Sequence, residues 1–521
     1  MKKVSITTLA YCFSFGVFAQ TALKIKDGEK SEVFSKKYGL IGDKTNGFVT
    51  LEINKNSFGI QGYNIQTMTP TNQVKVDFDD NERKSEFIKT VSINNKHYIL
   101  YCSDRISKDA TLLFAKQIDT KNNNLFPKSF ELINESKAKR YKPKEFTYRG
   151  PKEAPLFDIY TNESESDLSV TYIIKPEGKK DNQKIYVANF DDNLNNLWNK
   201  ELEIPYPANE IEVLKTKTDA KGNLFVLIDH IKEKKDNPDK HELIIFGNNS
   251  KSKSVKLNFQ KKNSAFTNIN TRMEFGEKNG TIVLCGLYYT NLEKLPAGFF
   301  TLNLSNIDNI TINNSGSVFP FDSKIILERE NSKSEDRGGS RLFQLTQIQQ
   351  VDISNDGKIK IFAEENTILT FRRNQSEFST NPDNQYQESH FGNIYIMEVE
   401  NNKQNWFVKV NKKQKFVNIG GILASFSTIS KPEGLYVLYN DHDKNLDETR
   451  EEVATLQGLG CILVYTFIDN NGKRYKKEQI FVEKAPFYIV NDLKKISNTE
   501  YIITKLNISG SFNTLSKITT N

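Results

Sequence analysis

Residues 219–228 read DAKGNLFVLI. Asp219, Gly222 and Asn223 are turn residues, and the five apolar residues that follow, Leu224 to Ile228, are hairpin-strand material. The same reading recurs along the chain: KTNGFVTLEI (44–53), INNKHYILYC (93–102), ESDLSVTYII (165–174), EKNGTIVLCG (277–286), SNDGKIKIFA (354–363), KPEGLYVLYN (431–440) and ISNTEYIITK (496–505). That makes eight runs, spaced by roughly 50 to 75 residues, a little longer than the usual period of repeat proteins.

What surrounds each run repeats as well. A second apolar strand follows, as in TLLFAKQID (111–119), KIYVANFDD (184–192) and CILVYTFID (461–469). Next come an Asn/Asp/Gly turn, such as DDNLNN (191–196) or DNNGKR (469–474), and a more polar strand, such as LWNKELEI (197–204). Another strand precedes each run, for example FIKTVSI (87–93) or IEVLKTKT (211–218). No segment has the 3.6-residue periodicity of an amphipathic helix of 12 residues or more. Four antiparallel strands per unit, repeated seven or eight times, predict an all-β chain folded as a single β-propeller. A string of β-sandwiches would need linkers, and no Pro/Gly/Ser-rich linker is present. The units expected are 38–79, 86–133, 155–205, 210–258, 271–318, 342–410, 420–483 and 487–521, the last closing the ring with 22–36, within a domain spanning 20–521.

Composition bounds the function. The chain has 521 residues, 37% hydrophobic and 11% aromatic, too apolar for a disordered protein. Residues 1–19, MKKVSITTLAYCFSFGVFA, combine Lys2 and Lys3 with an apolar stretch and a small-residue site ending at Ala19. That is the pattern of a secretory signal peptide, and Tyr11 before Cys12 argues against lipidation. The mature chain has no further apolar run long enough to span a bilayer, so it is expected in the periplasm or associated with the outer membrane, with an extracellular location as the other destination. Losing Lys2 and Lys3 takes the formal charge from +7 to +5, too mild to imply nucleic acid. It also leaves Cys102, Cys285 and Cys461, an odd number in apolar runs, read as buried thiols.

The repeat order places the candidate sites. In a propeller the first strand is innermost, and the 2–3 and 4–1 connections open on one face. Three long insertions fall between strands 2 and 3: 231–240, 368–391 and 441–460. Two irregular stretches, 136–153 and 321–340, fall at crossings between units. All five are expected on one rim, where binding is usual. The crossing carries Lys139, Arg140, Tyr141, Lys142, Lys144, Tyr148 and Arg149, cations interleaved with aromatics that suit an anionic partner. Arg372 and Arg373 near Tyr386 and His390 form a second cationic group. Asp441, Asp443, Asn445, Asp447 and Glu452 follow calcium-loop spacing, although Leu446 stands where the sharp turn wants Gly. Calcium is the one metal the sequence suggests, and no other cofactor is expected. Trp198 and Trp406 occupy equivalent frames and are read as packing between units.

Catalytic signatures are missing: there is no HExxH, GxSxG, Walker loop or CxxC. SNDGKIKIF is only loosely like the Asp-box of sialidase-like propellers. Glu274, Glu277 and Asp352 are the first-strand acids that would face a central channel, in strands with few aromatics.

The signal peptide ending FAQ, the Lys/Asn/Phe-rich composition and units such as DAKGNLFVLI and GLYVLYND resemble the secreted and periplasmic β-propeller proteins of Bacteroidota. The resemblance lies in a blade turn, so it carries over no catalytic residue. It implies an accessory protein of the envelope, of the kind that includes the plug-like partner of the type 9 protein-translocation channel. The expectation is a non-enzymatic interaction module, monomeric within a hetero-complex, whose partner is an envelope protein such as an outer-membrane β-barrel. The alternative is a propeller that binds or cleaves glycans.

Overall fold

The computed structural model describes residues 23–520 apart from stretches between elements, the longest being 78–84, 136–143, 232–240, 258–265, 322–345 and 373–384. Residues 1–19, read above as a signal peptide, therefore lie outside the described residues. The chain forms the expected all-β propeller, and it has eight antiparallel blades. Their first strands are Tyr38–Asp43, Ser85–Ile93, Asp158–Thr161, Ile211–Thr218, Glu274–Lys278, Thr346–Ile353, Ser427–Lys431 and Phe487–Lys495, for blades 1 to 8 in that order. First strands of neighbouring blades touch at the 1/2, 2/3, 3/4, 5/6, 7/8 and 8/1 junctions, which makes them the inner wall of the ring. Among the described residues, no helix is long and apolar enough to cross a membrane.

The turns explain why the sequence repeats as it does. Asn94-Asn95, Asn279-Gly280 and Asn401-Asn402 each place two successive residues at positive φ (47° and 60°, 49° and 75°, 50° and 61°). Two left-handed residues in a row match the twist of a tight hairpin, and Asn and Gly tolerate that backbone best. The second turn type is built on aspartate. Asp219 Oδ1 accepts the backbone N–H groups of Lys221 and Asn223 at 2.9 and 2.8 Å, and Asp219 Oδ2 accepts from Asn223 Nδ2 at 2.7 Å. Asp191 repeats this with Asn193 and Asn195, and Asp469 with Asn471 and Lys473. The motif D-x-x-G-N is thus a self-capped hairpin turn.

Blades stack through apolar faces. Phe225, Leu227, Leu243 and Ile245 of blade 4 meet Ile282, Leu284, Phe300 and Leu302 of blade 5, all fully or almost fully buried. Each such side chain contributes about 1.5–3 kcal/mol. Trp406 is buried between blades 6 and 7, and its side chain lies so close to Gly472 that a Cβ there would sit 2.4 Å from the Trp406 Cβ and 2.5 Å from its ring. Half-buried Trp198 packs at the blade 3/4 interface. Cys285 and Cys461 are buried and Cys102 half-buried, and none of the three is in a disulfide.

The ring closes with Leu23–Glu32 as the outermost strand of blade 8, paired from Leu23↔Thr520 to Glu32↔Phe512. That strand also reaches blade 1. Glu29 N donates to Met68 O at 3.2 Å, and a Cβ on Gly28 would lie 2.2 Å from the same oxygen. Lys505 and Ser516 both bond Asp27, tying the strand to blade 8.

Candidate functional site

Antiparallel order puts the 1–2 and 3–4 turns at one end of every blade and the 2–3 and 4–1 connections at the other. The first end carries the tight turns above. The second carries the connections His230 to His241, Arg372 to Gln385 and His442 to Cys461, with the crossings Glu135 to Asp158 and Pro320 to Thr346. Length is therefore concentrated on one rim.

The two described ends of the segment 368–391, expected as an irregular insertion, continue the sheet instead. Ile359–Arg372 and Gln385–Glu400 are strands of 14 and 16 residues, and their ladder runs on from Asn366↔Phe391 to Arg372↔Gln385. Gln414–Val417 adds a third strand through Glu388↔Val417 to Phe391↔Gln414. Blade 6 thus grows a three-stranded arm beyond its own first strand, which pairs only as far as Glu365. The alternation that makes a strand did not stop where the blade stopped.

A sealed polar network fixes the root of this arm. Lys412 Nζ bonds Glu364, both side chains having no exposed surface, and donates to Gln414 Oε1 at 2.9 Å. Ser425 Oγ donates to Glu364 Oε2 at 2.7 Å, and Gln414 Nε2 to Asn440 O at 2.6 Å. Asn440 then reaches blade 8, donating to Tyr488 O at 2.7 Å and accepting from Tyr488 N at 3.1 Å. Burial pushes the Glu364 carboxyl up and the Lys412 ammonium down, and their mutual attraction opposes both shifts. Beside them, Glu365 accepts from Tyr395 Oη at 2.5 Å and from Asn393 N at 3.0 Å. Three blades are tied together where the arm begins.

Of the residues singled out in the two cationic stretches, Lys139, Arg140, Tyr141, Lys142, Tyr148, Arg149 and Arg373 lie outside the described residues. Lys144 begins a two-stranded hairpin, Lys144–Thr147 with Gly150–Glu153, where it stands opposite Glu153. That hairpin touches the long second strand of blade 6. Arg372 ends that strand opposite Gln385, and Tyr386 stands opposite Phe371. Nearby, Glu388 joins His390 and Lys415, each at 3.0 Å. Burial works upward on the Glu388 carboxyl, but these two bonds hold it below the usual carboxylate range.

The 441–452 segment is held by internal bonds. Asp441, fully buried, pairs with Lys477 Nζ at 2.6 Å and accepts from Asn445 Nδ2 at 2.7 Å. Asn445 also exchanges hydrogen bonds with the Ala454 backbone at 2.8 and 2.7 Å. Asp443 meets His442 Nδ1 at 2.8 Å, and Asp447 Oδ1 caps Thr449, accepting from its N and Oγ1 at 3.1 and 2.6 Å. Glu452 lies outside the described residues. Among those described, no three His, Cys, Asp or Glu side chains gather as a group that could hold a metal ion.

The inner wall carries charge that the sequence reading largely missed. A one-residue bulge interrupts the pairing of first and second strands between Phe87 and Lys89, Val213 and Lys215, and Ile348 and Gln350, and a longer irregularity does so between Ile489 and Lys494. These are blades 2, 4, 6 and 8, every second blade. An extra residue re-aims the side chains beyond it. Lys89 Nζ then donates to Ile159 O of blade 3 at 2.8 Å, and Lys215 bonds Glu274 of blade 5. Lys217 pairs with Glu277 at 3.0 Å and lies over the Tyr160 ring at 5.2 Å. Asp158 accepts from Thr216 Oγ1 at 3.0 Å, and Tyr160 bonds Thr218. Glu274 and Glu277, expected to face inward, are thus bound to the neighbouring first strand. Asp352 accepts from Gln350 at 2.7 Å.

Lys89 and Asp158 are exposed to solvent, yet the surrounding strands wall them in. Desolvation lowers the Lys89 ammonium and raises the carboxyls of Asp158 and Asp352. It lifts Asp492 of blade 8 to about 6, against a bond from Thr504 at 3.2 Å. Accessible surface with a desolvated charge is what a protein-walled channel produces.

The strand order defines the class: an eight-bladed β-propeller. No protein-family model matches the chain, and no curated protein matches its sequence. Among solved structures, the β-propeller domain of the Trilobed protease from Pyrococcus furiosus is 11% identical, with 88% of this chain and 98% of that chain covered and a TM-score of 0.34. The WD40 domain of SCAP from fission yeast is 7% identical, with 96% and 98% covered and a TM-score of 0.36. The polysaccharide lyase Uly1 is 10% identical, with 83% and 89% covered and a TM-score of 0.35. Likeness this distant adds nothing about function.

Proposed function

We propose that this chain is a non-enzymatic interaction module of the bacterial envelope that engages a protein partner through its long-connection rim. The observation that carries the reading is the arm of blade 6. A three-stranded projection whose root is cross-linked to blades 7 and 8 through Lys412, Gln414 and Asn440 is a rigid docking element. The sequence supplies the remainder: a signal peptide, a mild net charge and the resemblance to envelope propellers. The partner expected is an outer-membrane β-barrel or another subunit of a protein-secretion complex.

The test is capture of the tagged protein from its own envelope fraction in mild detergent, with mass spectrometry of what co-purifies. A stoichiometric envelope protein is the expected result. Replacing residues 369–388 by Asn-Gly keeps the Ile368↔Ser389 pair and shortens the arm, and the partner is then lost. Recovery of the protein alone, or of the same partner after trimming, overturns the reading.

A further inference from the structure

The inner wall of blades 2 to 6 and 8 has a chemistry that the rim does not explain. Here bulges at alternate blades re-aim the inner strands, and the residues just after them, Lys89 and Lys215, extend to the next blade's first strand. Lys89 spends one of its three N–H groups on Ile159 O. Asp158 and Asp352 receive hydrogen bonds from Thr216 and Gln350 and keep further lone pairs. From blade 2 to blade 5 donors and acceptors therefore alternate, as Lys89, Asp158, Lys215 and Glu274, and both kinds remain open to the channel.

We infer that the channel is a binding site for a neutral, polyhydroxylated ligand, a stretch of uncharged glycan, held by Lys89, Asp158, Lys215 and Glu274. The charge arrangement selects this class. Lys215 is already paired with Glu274, and Lys89 lies in the field of Asp158. A carboxylate or phosphate ligand would have to displace an acid from its lysine, and a cationic ligand would have to displace a lysine. Lys89 and Asp158 are the desolvated members, and a desolvated charge that loses its partner is costly. Hydroxyl groups both donate and accept, so they bridge ammonium and carboxylate and leave the pairs intact.

This site goes beyond the proposed docking role and does not depend on it. The experiment is isothermal titration of the full mature protein with maltohexaose, cellohexaose and mannohexaose, and with hexagalacturonate and the glucosamine hexamer as anionic and cationic comparisons. The expected result is binding of a neutral hexamer, weakened at least tenfold in both Lys89→Met and Asp158→Asn and unchanged in the arm-trimmed protein. Lys215→Met gives the same reading should either variant fail to fold. Tighter binding of a charged hexamer, affinity that survives the channel substitutions, or no binding of any neutral hexamer overturns the inference. Loss of partner capture with saccharide binding retained, or the reverse, tells the two roles apart.

Discussion

The root of the blade 6 arm and the channel wall of blades 2 to 5 are made of the same pieces, lysines facing carboxylates across neighbouring strands, and they do different work. At the root, Glu364 and Lys412 have no exposed surface, and bonds from Ser425 and to Gln414 supplement their contact. In the channel, Lys215 and Glu274 each keep about a third of their side-chain surface, 33% and 34%. A sealed pair is a structural bolt, because removing either half strands a charge away from water. A wetted pair is replaceable by solvent, which is what a ligand site requires. Burial decides which role the same chemistry takes.

Breaking the bolt is the harshest test of that contrast. Lys412→Met leaves Glu364 without its cation and is expected to destabilise the protein by about 3–5 kcal/mol, read from urea unfolding. The double variant Glu364→Gln, Lys412→Met restores most of the loss, because no charge is then stranded. A loss from the single variant no larger than that of a surface pair would erase the distinction.

Asp492 sharpens the comparison from the channel side. Burial raises its folded pKa to about 6 from the ordinary carboxyl value of 3.8, so the folded state holds the proton more tightly than the unfolded chain. Stability is therefore lost as pH rises through this window, from about 4 to 6, and the cost is complete above it. Asp492→Asn is expected to be more stable than the parent by roughly 2 kcal/mol at pH 7.5 and indistinguishable below pH 4. Melting temperatures across pH 3.5 to 8 check this, and a gap that is constant with pH refutes it.

The smallest effect is expected at Lys215→Met. Its partner Glu274 is wet, so the loss should be at most about 1 kcal/mol and should shrink further in 0.5 M salt. A loss approaching that of Lys412→Met would mean that the channel wall is structural after all.

Much of the fold was legible because its signals are local. Asn94-Asn95, Asn279-Gly280 and the Asp219 and Asp469 turns are specified by the few residues that form them. The apolar runs that follow these turns have the composition and length of buried strands. The arm was half legible: ILTF (368–371) has strand composition, but polar residues on both sides made 368–391 resemble an insertion. The bolt was not legible at all, since Glu364 and Lys412 are 48 residues apart and each reads as an ordinary polar residue.

By itself, the sequence determined the repeat, the turn chemistry, the all-β class and the side of the ring on which length accumulates. Those follow from contacts within a few residues and from strand parity. The tertiary structure alone decided which charges face the channel and which are sealed. A single extra residue at Ile88, Leu214 or Gln349 changes how the side chains beyond it are aimed, and nothing in a linear pattern marks that residue as a bulge. Whether Lys89 meets solvent and Lys412 does not depends on what the next blade brings against it.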